Sequence, residues 1–228
     1  IPARGGSKGI PKKNIKLLLG SPLIAYTIEL AKKNHFFDKV VVSTDSDEIS
    51  EVSRTYGIDV VSRPSELSGD LSRTEGALIH VLDYYKNKGI EFDTVVTIEA
   101  TSPMRTEKTI NKCIDRFINT DCDSLVTVYE DRSYFWRENS LNKLSPLFTD
   151  QARRRQDRKP LYKEAGVIYI TSVDVLRKNN SIIGNNPIHY VVDEQEAIDI
   201  NTNVDFFIVD NLMKLNNWLM FKKNISIF

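Results

Sequence analysis

The sequence predicts an α/β protein in which helices cover a parallel β-sheet. Short runs rich in β-branched residues alternate with segments of helical periodicity along most of the chain, a pattern typical of repeated strand–helix units. The length of 228 residues, with 41% hydrophobic and 27% charged residues, suits one compact domain with a core of its own. We therefore expect a single domain over residues 1–228.

Six short runs are predicted to form the strands of this sheet. Their β-branched and aromatic content favours extended backbone. The first is a stub that leads directly into a glycine-rich loop. The predicted strands are residues 1–3, 39–43, 59–62, 94–98, 124–128 and 166–171.

Capping residues indicate where the intervening helices begin. Pro22 follows one of them, at a position typical of the first helical turn. Two others are followed three residues later by an acid, Glu75 or Asp205, which is the spacing of a capping box. Gly57 and Gly89 indicate helix ends. The predicted N-caps are Ser21, Ser46, Ser72, Thr106 and Thr202.

Composition and charge exclude several classes of function. Lysine and arginine total 31 and are balanced by 31 acidic residues, whereas a dedicated nucleic-acid-binding domain usually carries a strong basic excess. No apolar run approaches the length of about 18 residues that would span a membrane. The three histidines, His35, His80 and His189, are too far apart in sequence to suggest a zinc site.

The two cysteines, Cys113 and Cys122, are too few for a disulfide framework and indicate a reducing compartment. No signal peptide is visible, so we expect a cytoplasmic protein. Cys113 falls on the apolar face of the helix predicted to begin at Thr106, together with Ile110 and Ile114. We therefore expect a packed thiol there rather than a nucleophile.

One segment, residues 130–162, fits neither strand nor helix periodicity. It contains Trp136, Pro146, Pro160 and a basic run at residues 153–159. Because a structureless loop of this length would be unusual inside a compact domain, we expect an inserted arm with its own structure. Such an arm could reach a partner subunit, and the alternative is a solvated charged loop.

The strongest local signal is the opening segment, residues 1–14, where a short strand leads into a loop with several glycines and basic residues. Glycine lets backbone N–H groups approach an anion closely, and the basic side chains would neutralise it, so this loop could cradle phosphate. It matches neither the Walker pattern nor the dinucleotide-binding glycine pattern, and a solvated basic turn is the alternative. The residues concerned are Gly5, Gly6 and Gly9 with Arg4, Lys8, Lys12 and Lys13.

Further segments, in order along the chain, favour the phosphate-binding interpretation. With the opening segment they resemble the signature of the sugar-acid cytidylyltransferases, the family that makes CMP-sialic acid and related CMP-nonulosonates. The resemblance spans about residues 1–210. The matching segments are 42–45 (Val-Ser-Thr-Asp), 63–67 (Arg-Pro-Ser-Glu-Leu), Asp70, 101–105 (Thr-Ser-Pro-Met-Arg), 155–156 (Arg-Gln), 166–169 (Gly-Val-Ile-Tyr) and 199–201 (Asp-Ile-Asn).

This resemblance implies a Rossmann-like, mostly parallel sheet with helices on both faces. It also implies a homodimer in which the arm of one subunit helps to close the active site of the other. Enzymes of this family join CTP to the anomeric hydroxyl of a 2-keto-3-deoxy sugar acid and release pyrophosphate. The expected partners are therefore CTP, a sugar-acid substrate and a second copy of the chain, with no nucleic acid and no membrane.

The resemblance assigns the basic loop to the triphosphate. In-line attack on the α-phosphate accumulates negative charge, which positioned cations stabilise. Arg4 and Lys13 would hold that charge and are the expected catalytic residues. The expected nucleotide-binding residues are Ser7, Lys8, Asn14, Arg63 and Asp70, with a surface arginine as the alternative interpretation of Arg63.

Mg²⁺ is the expected cofactor, because a pyrophosphate leaving group needs a divalent cation on its oxygens. The family holds this metal with a D-x-D motif near the end of the fold. Here the motif reads Asp199-Ile200-Asn201, so Asp199 and Asn201 are the expected ligands, and the uncharged amide would hold Mg²⁺ more weakly. The alternative for Asp199 is a turn residue at a strand end.

The expected sugar-acid-binding residues depart from the sialic-acid pattern at two places. Sialic-acid members have Gln before the Thr-Ser-Pro segment, where this chain has Glu99. They also have Arg-x-Asn-Gly where this chain has Lys163 three residues before Gly166. These differences leave cytidylyl transfer intact but do not favour N-acetylneuraminate as the substrate. The expected set is Glu99, Thr101, Ser102, Gln156 and Lys163.

Glu99 would place a partly desolvated carboxylate in this pocket, and such a group needs a partner. The candidates are a basic residue such as Lys163 or Arg105, the metal, or a cationic group on the substrate. With a basic residue as its partner, Glu99 would form an internal salt bridge. With a cationic group of the substrate as its partner, Glu99 would select substrates by their charge.

Two other functions compete with cytidylyl transfer. A glycosyltransferase would share a similar nucleotide-binding sheet, but it would usually carry an acidic D-x-D at a mid-chain strand end, and none is present there. A relative that only binds a ligand would be consistent with Asn201. Retention of Arg4, Lys8, Lys13 and Asp199 argues against that alternative.

Overall fold

The computed structural model describes residues 1–216 and has the α/β architecture predicted from the sequence. None of the helices in this range is both long and apolar enough to cross a membrane. The strands are β1 (Leu17–Leu18), β2 (Ser21–Pro22), β3 (Val41–Thr44), β4 (Asp59–Ser62), β5 (Thr94–Ile98), β6 (Ser124–Asp131), β7 (Trp136–Glu138), β8 (Leu144–Pro146), β9 (Leu161–Ser172) and β10 (Pro187–Val191). The α-helices are α1 (Leu23–Lys33), α2 (Asp47–Thr55), α3 (Thr74–Lys86), α4 (Glu107–Ile118), α5 (Val173–Asn179) and α6 (Asn203–Leu215).

A four-stranded mixed sheet is the centre of the fold. Its strand order is β10-β6-β9-β5, with β10 parallel to β6 and β9 antiparallel to both of its neighbours. Strand β9 runs against β6 because the connection between them contains no crossover helix, which a parallel pair would require. The sheet is therefore less uniformly parallel than the sequence suggests.

The glycine-rich loop follows residues 1–3, which lie beside a second, parallel pair of strands. Strands β3 and β4 pair in parallel, and residues 1–3 run beside β3. The Ala3 N–H donates to the Ser43 carbonyl at 2.9 Å, and the Ser43 N–H donates to the Ile1 carbonyl at 3.0 Å. The opening stub is thus parallel to β3, and the loop that follows it lies at the carboxyl end of this strand pair.

Most of the predicted strands occur at or near their predicted positions. Residues 59–62 and 94–98 are strands as predicted, whereas β6 and β9 extend farther toward the arm than predicted. The sequence prediction missed β10, an edge strand whose residues alternate between exposed and half-buried. Ile188, Tyr190 and Val191 favour a strand, but the run is short and begins at Pro187, directly after Gly184, Asn185 and Asn186, which are typical of a loop.

Three of the predicted helix starts are confirmed. The side chains of Ser46, Thr106 and Thr202 each accept a hydrogen bond from the backbone N–H three residues later. At Thr202 the full capping box forms with Asp205. This cap bears on the site, because α6 begins directly after residues 199–201.

Two of the predicted helix starts are wrong. Ser21 and Pro22 form β2, which pairs with β1, and α1 starts only after them. Helix α3 begins at Thr74 without a side-chain cap, and the Ser72 hydroxyl instead donates to the Glu66 carbonyl at 3.0 Å. At both positions strand pairing or a longer-range hydrogen bond replaces the capping contact that the local pattern predicts.

Two of the apolar clusters bear on the site. The first packs α4 against the mixed sheet through residues such as Ile110 and Leu125. Cys113 is fully buried in it, and burial raises the pKa of its thiol to about 12, which confirms that this is a packed thiol. The second cluster packs Ile10 of the glycine-rich loop with Ile200 and so fixes the loop beside residues 199–201.

Residues 132–160 form an arm between β6 and β9. Within it, β7 and β8 pair as an antiparallel hairpin. Arg132 and Arg158 close the base of the arm, since each guanidinium donates to the backbone carbonyl of the other residue. The guanidinium carbons of Arg153 and Arg158 lie 4.8 and 5.1 Å from the centroid of the Tyr134 ring. Much of the basic run therefore stabilises the arm itself.

Candidate active site

A cleft with two adjoining compartments collects most of the predicted site residues. The first compartment, of about 440 Å³, lies between the glycine-rich loop, the end of β5 and residues 199–201. The second, of about 580 Å³, is lined by β9 and by the segment that leads into α6. Gly166, Tyr169, Asp199 and Asn201 belong to both. The predicted residues that line the cleft are Arg4, Ser7, Lys8, Lys13, Asn14, Glu99, Thr101, Lys163, Asp199 and Asn201.

The glycine-rich loop is shaped by polar contacts to its backbone. The Gly5 N–H donates to Asp45 Oδ1 at 2.8 Å, and Asn14 Nδ2 donates to the Arg4 carbonyl at 3.0 Å. Asn14 is buried, so it supports the loop from within while also lining the cleft. No role was predicted for Asp45, although it ends the segment 42–45 of the family signature.

Lys13 lies between this loop and residues 199–201. Its Nζ donates to the Ile200 carbonyl at 2.6 Å and to Asn201 Oδ1 at 3.2 Å. Only glycine permits the close approach at position 9, because a Cβ on Gly9 would lie 2.1 Å from the Asn201 carbonyl oxygen. Partial burial lowers the pKa of Lys13, an effect that the Asp199 carboxylate opposes. The ammonium group is therefore fixed on the wall of the cleft.

Arg4 and Lys8 share one counterion at the rim of the first compartment. Asp70 Oδ1 lies 3.3 Å from Arg4 Nη1, and Asp70 Oδ2 lies 2.9 Å from Lys8 Nζ. The hydrogen bond from Lys8 holds the pKa of Asp70 below its usual range. Lys12 instead pairs with Glu48 at 2.6 Å. An anion that enters the cleft would have to compete with Asp70 for two of the loop cations.

Arg63 is buried against β3 and lies outside the cleft lining. Its Nε donates to Ser43 Oγ at 3.1 Å and its Nη2 to the Ser43 carbonyl at 2.7 Å. Burial lowers the pKa of the guanidinium, and the Asp45 carboxylate opposes that effect. Arg63 is therefore not the surface arginine of the alternative interpretation, and its nucleotide-binding role stays a prediction.

Glu99 places a carboxylate in the first compartment directly after β5. Burial raises its pKa, the positive charge of the Ile1 amino group opposes this effect, and the like charge of Asp199 adds to it. Arg105 and Arg63 also lower the pKa of Glu99 through their charges. The buried guanidinium of Arg105 does not pair with this carboxylate: its Nη2 donates to the Glu99 backbone carbonyl at 2.6 Å and its Nε to the Val167 carbonyl at 2.9 Å. Within residues 1–216, no hydrogen bond or ion pair holds the Glu99 carboxylate.

Tyr169 and Glu164 belong to the cleft, although the sequence analysis assigned them no role. The Tyr169 hydroxyl donates to the Glu164 carboxylate, and burial raises the pKa of the phenol. Gly166, with φ 65°, lies next to an irregularity in the β6–β9 pairing, where the Thr127 hydroxyl accepts from the Ile168 N–H at 3.0 Å. The signature segment 166–169 contains Tyr169 and is the part of the sequence that could have indicated this wall of the cleft.

The remaining predicted sugar-acid residues lie in different environments. Thr101 lines the first compartment, but Ser102 is fully buried and its hydroxyl has no partner within residues 1–216. Lys163 lines the second compartment, with Nζ 5.5 Å from the centroid of the Tyr129 ring. Gln156 is exposed in a turn of the arm and lies outside both compartments of its own chain.

The predicted metal ligands Asp199 and Asn201 contact each other. Asn201 Nδ2 donates to Asp199 Oδ2 at 2.6 Å, while Asn201 Oδ1 faces Lys13. In the part of the chain that the structure describes, no group of three or more His, Cys, Asp or Glu side chains is placed to hold a metal ion. Mg²⁺ commonly uses one or two carboxylates together with substrate phosphates. The donors here fit a Mg²⁺ ion that Asp199 shares with a substrate, and not a site made of protein ligands alone.

The fold and the site together identify the chain as a nucleotidyltransferase. A Rossmann-like sheet places a glycine-rich loop, fixed cations and an acidic residue around one cleft. The chain matches the cytidylyltransferase family over residues 1–228 and belongs to that family. It is 32% identical over 221 residues to the CMP-N,N'-diacetyllegionaminic acid synthase of Legionella pneumophila, a match that covers 95% of both chains.

A second relative is longer. The chain is 33% identical over 212 residues to the N-acylneuraminate cytidylyltransferase of Streptococcus agalactiae serotype III, where 90% of this chain matches 50% of the relative. The chain thus spans about half the length of that relative.

A solved structure confirms the Rossmann-like α/β fold. The structure of CMP:2-keto-3-deoxy-manno-octonic acid synthetase complexed with CTP superimposes with a TM-score of 0.69 and covers 94% of this chain and 97% of that chain. The two sequences are 16% identical, so this likeness supports the fold alone.

Proposed function

We propose that this cytidylyltransferase joins CTP to the anomeric hydroxyl of a 2-keto-3-deoxy sugar acid of the nonulosonate type. The products are the CMP-sugar and pyrophosphate. The proposal rests on the arrangement of charged residues in the cleft. The loop cations line the first compartment, Lys163 lines the second, and Asp199 and Asn201 line both. The names of the legionaminic acid and acylneuraminate relatives support a nonulosonate substrate.

In the proposed reaction, the loop binds the triphosphate and the second compartment binds the sugar acid. Arg4, Lys8 and Lys13 neutralise the phosphates, and Lys13 is held closest to the residues shared by both compartments. The anomeric oxygen forms a bond to the α-phosphorus while the bond from that phosphorus to pyrophosphate breaks. The hydroxyl proton passes to a cleft carboxylate, for which Glu99 and Asp199 are available.

Mg²⁺ is the proposed cofactor. When bound, it would neutralise charge on the phosphate oxygens and help pyrophosphate to leave. Asp199 would hold it together with the substrate, and Asn201 would contribute at most a neutral oxygen.

The sugar acid is proposed to bind between Lys163 and the pair formed by Tyr169 and Glu164. Lys163 supplies a cation for the substrate carboxylate. The Tyr169 hydroxyl donates a hydrogen bond to the Glu164 carboxylate, so its oxygen is oriented to accept a hydrogen bond from a substrate hydroxyl or amide N–H. Thr101 and the Glu99 carboxylate complete the wall nearest the nucleotide.

The active unit is proposed to be a homodimer assembled through the arm, residues 132–160. Large apolar side chains on the arm are exposed, including Trp136 at 47% and Leu144 at 66%, which is typical of a protein-binding surface. Gln156 lies on the same arm and would reach the active site of the second subunit. Sedimentation of a variant without the arm tests this: a monomer is expected, and a variant that stays dimeric would show that the interface lies elsewhere.

A cytoplasmic location is proposed with this function. The two cysteines are unpaired, which is consistent with a reducing compartment.

The deciding experiment is a panel of sugar acids incubated with CTP and Mg²⁺, with pyrophosphate release as the readout. The panel contains sialic, legionaminic, pseudaminic and 3-deoxy-octulosonic acids and amino-substituted analogues. Release that depends on one of these acids is expected. No release with any of the acids would contradict the proposal. In that case, CTP binding measured by calorimetry would favour a protein that only binds a ligand, and sugar transfer from an added CMP-sugar would favour a glycosyltransferase.

A further inference from the structure

Asn201 joins two charged groups of the cleft that do not contact each other. Its Oδ1 accepts from Lys13 Nζ at 3.2 Å, and its Nδ2 donates to Asp199 Oδ2 at 2.6 Å. Its backbone is fixed as well, because its N–H donates to Asp205 Oδ2 at 3.0 Å in the cap of α6. The amide therefore has a defined position from which to orient both charges.

A side-chain amide can make both contacts at once. It offers an acceptor to the ammonium and a donor to the carboxylate, whereas a carboxylate at this position offers acceptors only. An aspartate at position 201 would still pair with Lys13, but it would also face Asp199 as a like charge. Two carboxylates this close repel each other, and a cation between them or a proton on one of them relieves the repulsion.

We propose that Asn201 is a positioning residue that holds Lys13 and Asp199 in place without a metal ion, so that the divalent cation binds together with the nucleotide. One oxygen of Asp199 is occupied by the amide, which leaves the other for a metal that also needs phosphate oxygens. The inference rests on the proposed function, because it assumes a nucleotide that brings those oxygens.

The test uses Mn²⁺ as the probe, and free Mn²⁺ is measured by electron paramagnetic resonance. The wild type is titrated with and without α,β-methylene-CTP, and the analogue is titrated without protein so that the Mn²⁺ bound by its phosphates alone is subtracted. Asn201→Asp is titrated without nucleotide. Asn203→Asp is the matched control, because it adds the same charge two residues away, where Asn203 accepts from Lys16 Nζ at 3.3 Å.

The wild type should bind Mn²⁺ at least about tenfold more tightly with the CTP analogue than alone. Asn201→Asp should bind Mn²⁺ alone at least about tenfold more tightly than the wild type, and Asn203→Asp should match the wild type. Equal binding with and without the analogue, or equal binding by the two variants, would overturn the inference. If the analogue does not bind at all, the proposed function fails, while the comparison of the two variants still tests Asn201.

A second measurement isolates Lys13. In excess EDTA, Asn201→Ala should bind the CTP analogue at least about threefold more weakly than the wild type, because Lys13 loses one of its two anchors. An unchanged affinity in EDTA would show that Asn201 does not position Lys13.

Discussion

Arg4 Nη1 and Asp70 Oδ1 lie 3.3 Å apart, although 66 residues separate them in the sequence. The same carboxylate contacts Lys8, so one acid neutralises two cations of the glycine-rich loop. The pairs are largely exposed to solvent, and exposed pairs of this kind are weak. A ligand with more negative charge could therefore replace Asp70 as the partner of Arg4 and Lys8.

The substitution Asp70→Asn should tighten the binding of CTP by about two- to fivefold, the range expected when one exposed ion pair is lost. Calorimetric titration with CTP measures the effect. Glu66→Gln is the control, because it removes an equal charge from the same loop region without contacting Arg4 or Lys8. Weaker binding in Asp70→Asn would instead mean that Asp70 contacts the nucleotide, as the family resemblance implies.

Arg4→Ala and Lys13→Ala should each lower kcat by about 10²–10³, the usual effect of removing one group that stabilises charge in the transition state. Arg4 lies on the glycine-rich loop and Lys13 begins the short 3₁₀ turn that follows it, so truncation of either side chain creates no core cavity and fold stability should change little. Lys12→Ala is a matched control, because Lys12 belongs to the same loop but pairs with Glu48. A loss smaller than about tenfold in both variants would contradict their assignment to the transition-state charge.

Arg105→Met should lower the free energy of unfolding by about 1.5–4.5 kcal/mol. It removes the guanidinium donor from the Val167 carbonyl, at about 1–3 kcal/mol, and one of two donors to the Glu99 carbonyl, at about 0.5–1.5 kcal/mol. The Thr27 hydroxyl still donates to the Glu99 carbonyl at 3.4 Å. Arg105 is fully buried and joins the end of β5 to β9 through the Glu99 and Val167 carbonyls. Urea unfolding measures the change, with the exposed Arg116→Met as the control. A loss below about 1 kcal/mol would show that water or rearrangement satisfies those carbonyls.

The parts of the site that depend on short-range patterns could be predicted from the sequence. The glycine-rich loop is a run of consecutive residues, so the local pattern alone predicts that Arg4, Lys8 and Lys13 lie close together. The place of Asn14 beside them comes from the family resemblance. The caps at Ser46, Thr106 and Thr202 are local for the same reason. Each of these features depends on residues that are close together in the sequence.

The parts that depend on tertiary contacts could not be predicted. Whether Arg63 reaches a nucleotide depends on where β3 lies, and its guanidinium is bound to Ser43. The Tyr169–Glu164 contact depends on the local irregularity around Gly166. The direction of β9 depends on how the arm connects it to β6, which residue periodicity alone does not report.

Glu99→Gln should change which sugar acid the enzyme prefers. The Glu99 carboxylate lines the first compartment without a hydrogen bond or ion pair from residues 1–216, so the internal salt bridge considered from the sequence is not formed in that part of the chain. A partly desolvated carboxylate without a partner favours a cationic group on the ligand. We expect the wild type to prefer a nonulosonate with a free amino group over its N-acetylated counterpart by at least about tenfold in kcat/KM.

The same pair of substrates provides the control for this prediction. Glu99→Gln removes the charge but keeps the size of the side chain, so it should reduce or reverse the preference while both substrates are still turned over. The raised pKa of Glu99 sets the sign of the pH dependence: the preference should grow as the pH rises through that pKa, because only the carboxylate attracts an ammonium group. Two results would contradict this prediction: a wild type that prefers the neutral sugar acid, or a preference that Glu99→Gln leaves unchanged. Either would mean that Glu99 does not select substrates by their charge and acts as a neutral carboxylic acid in the cleft.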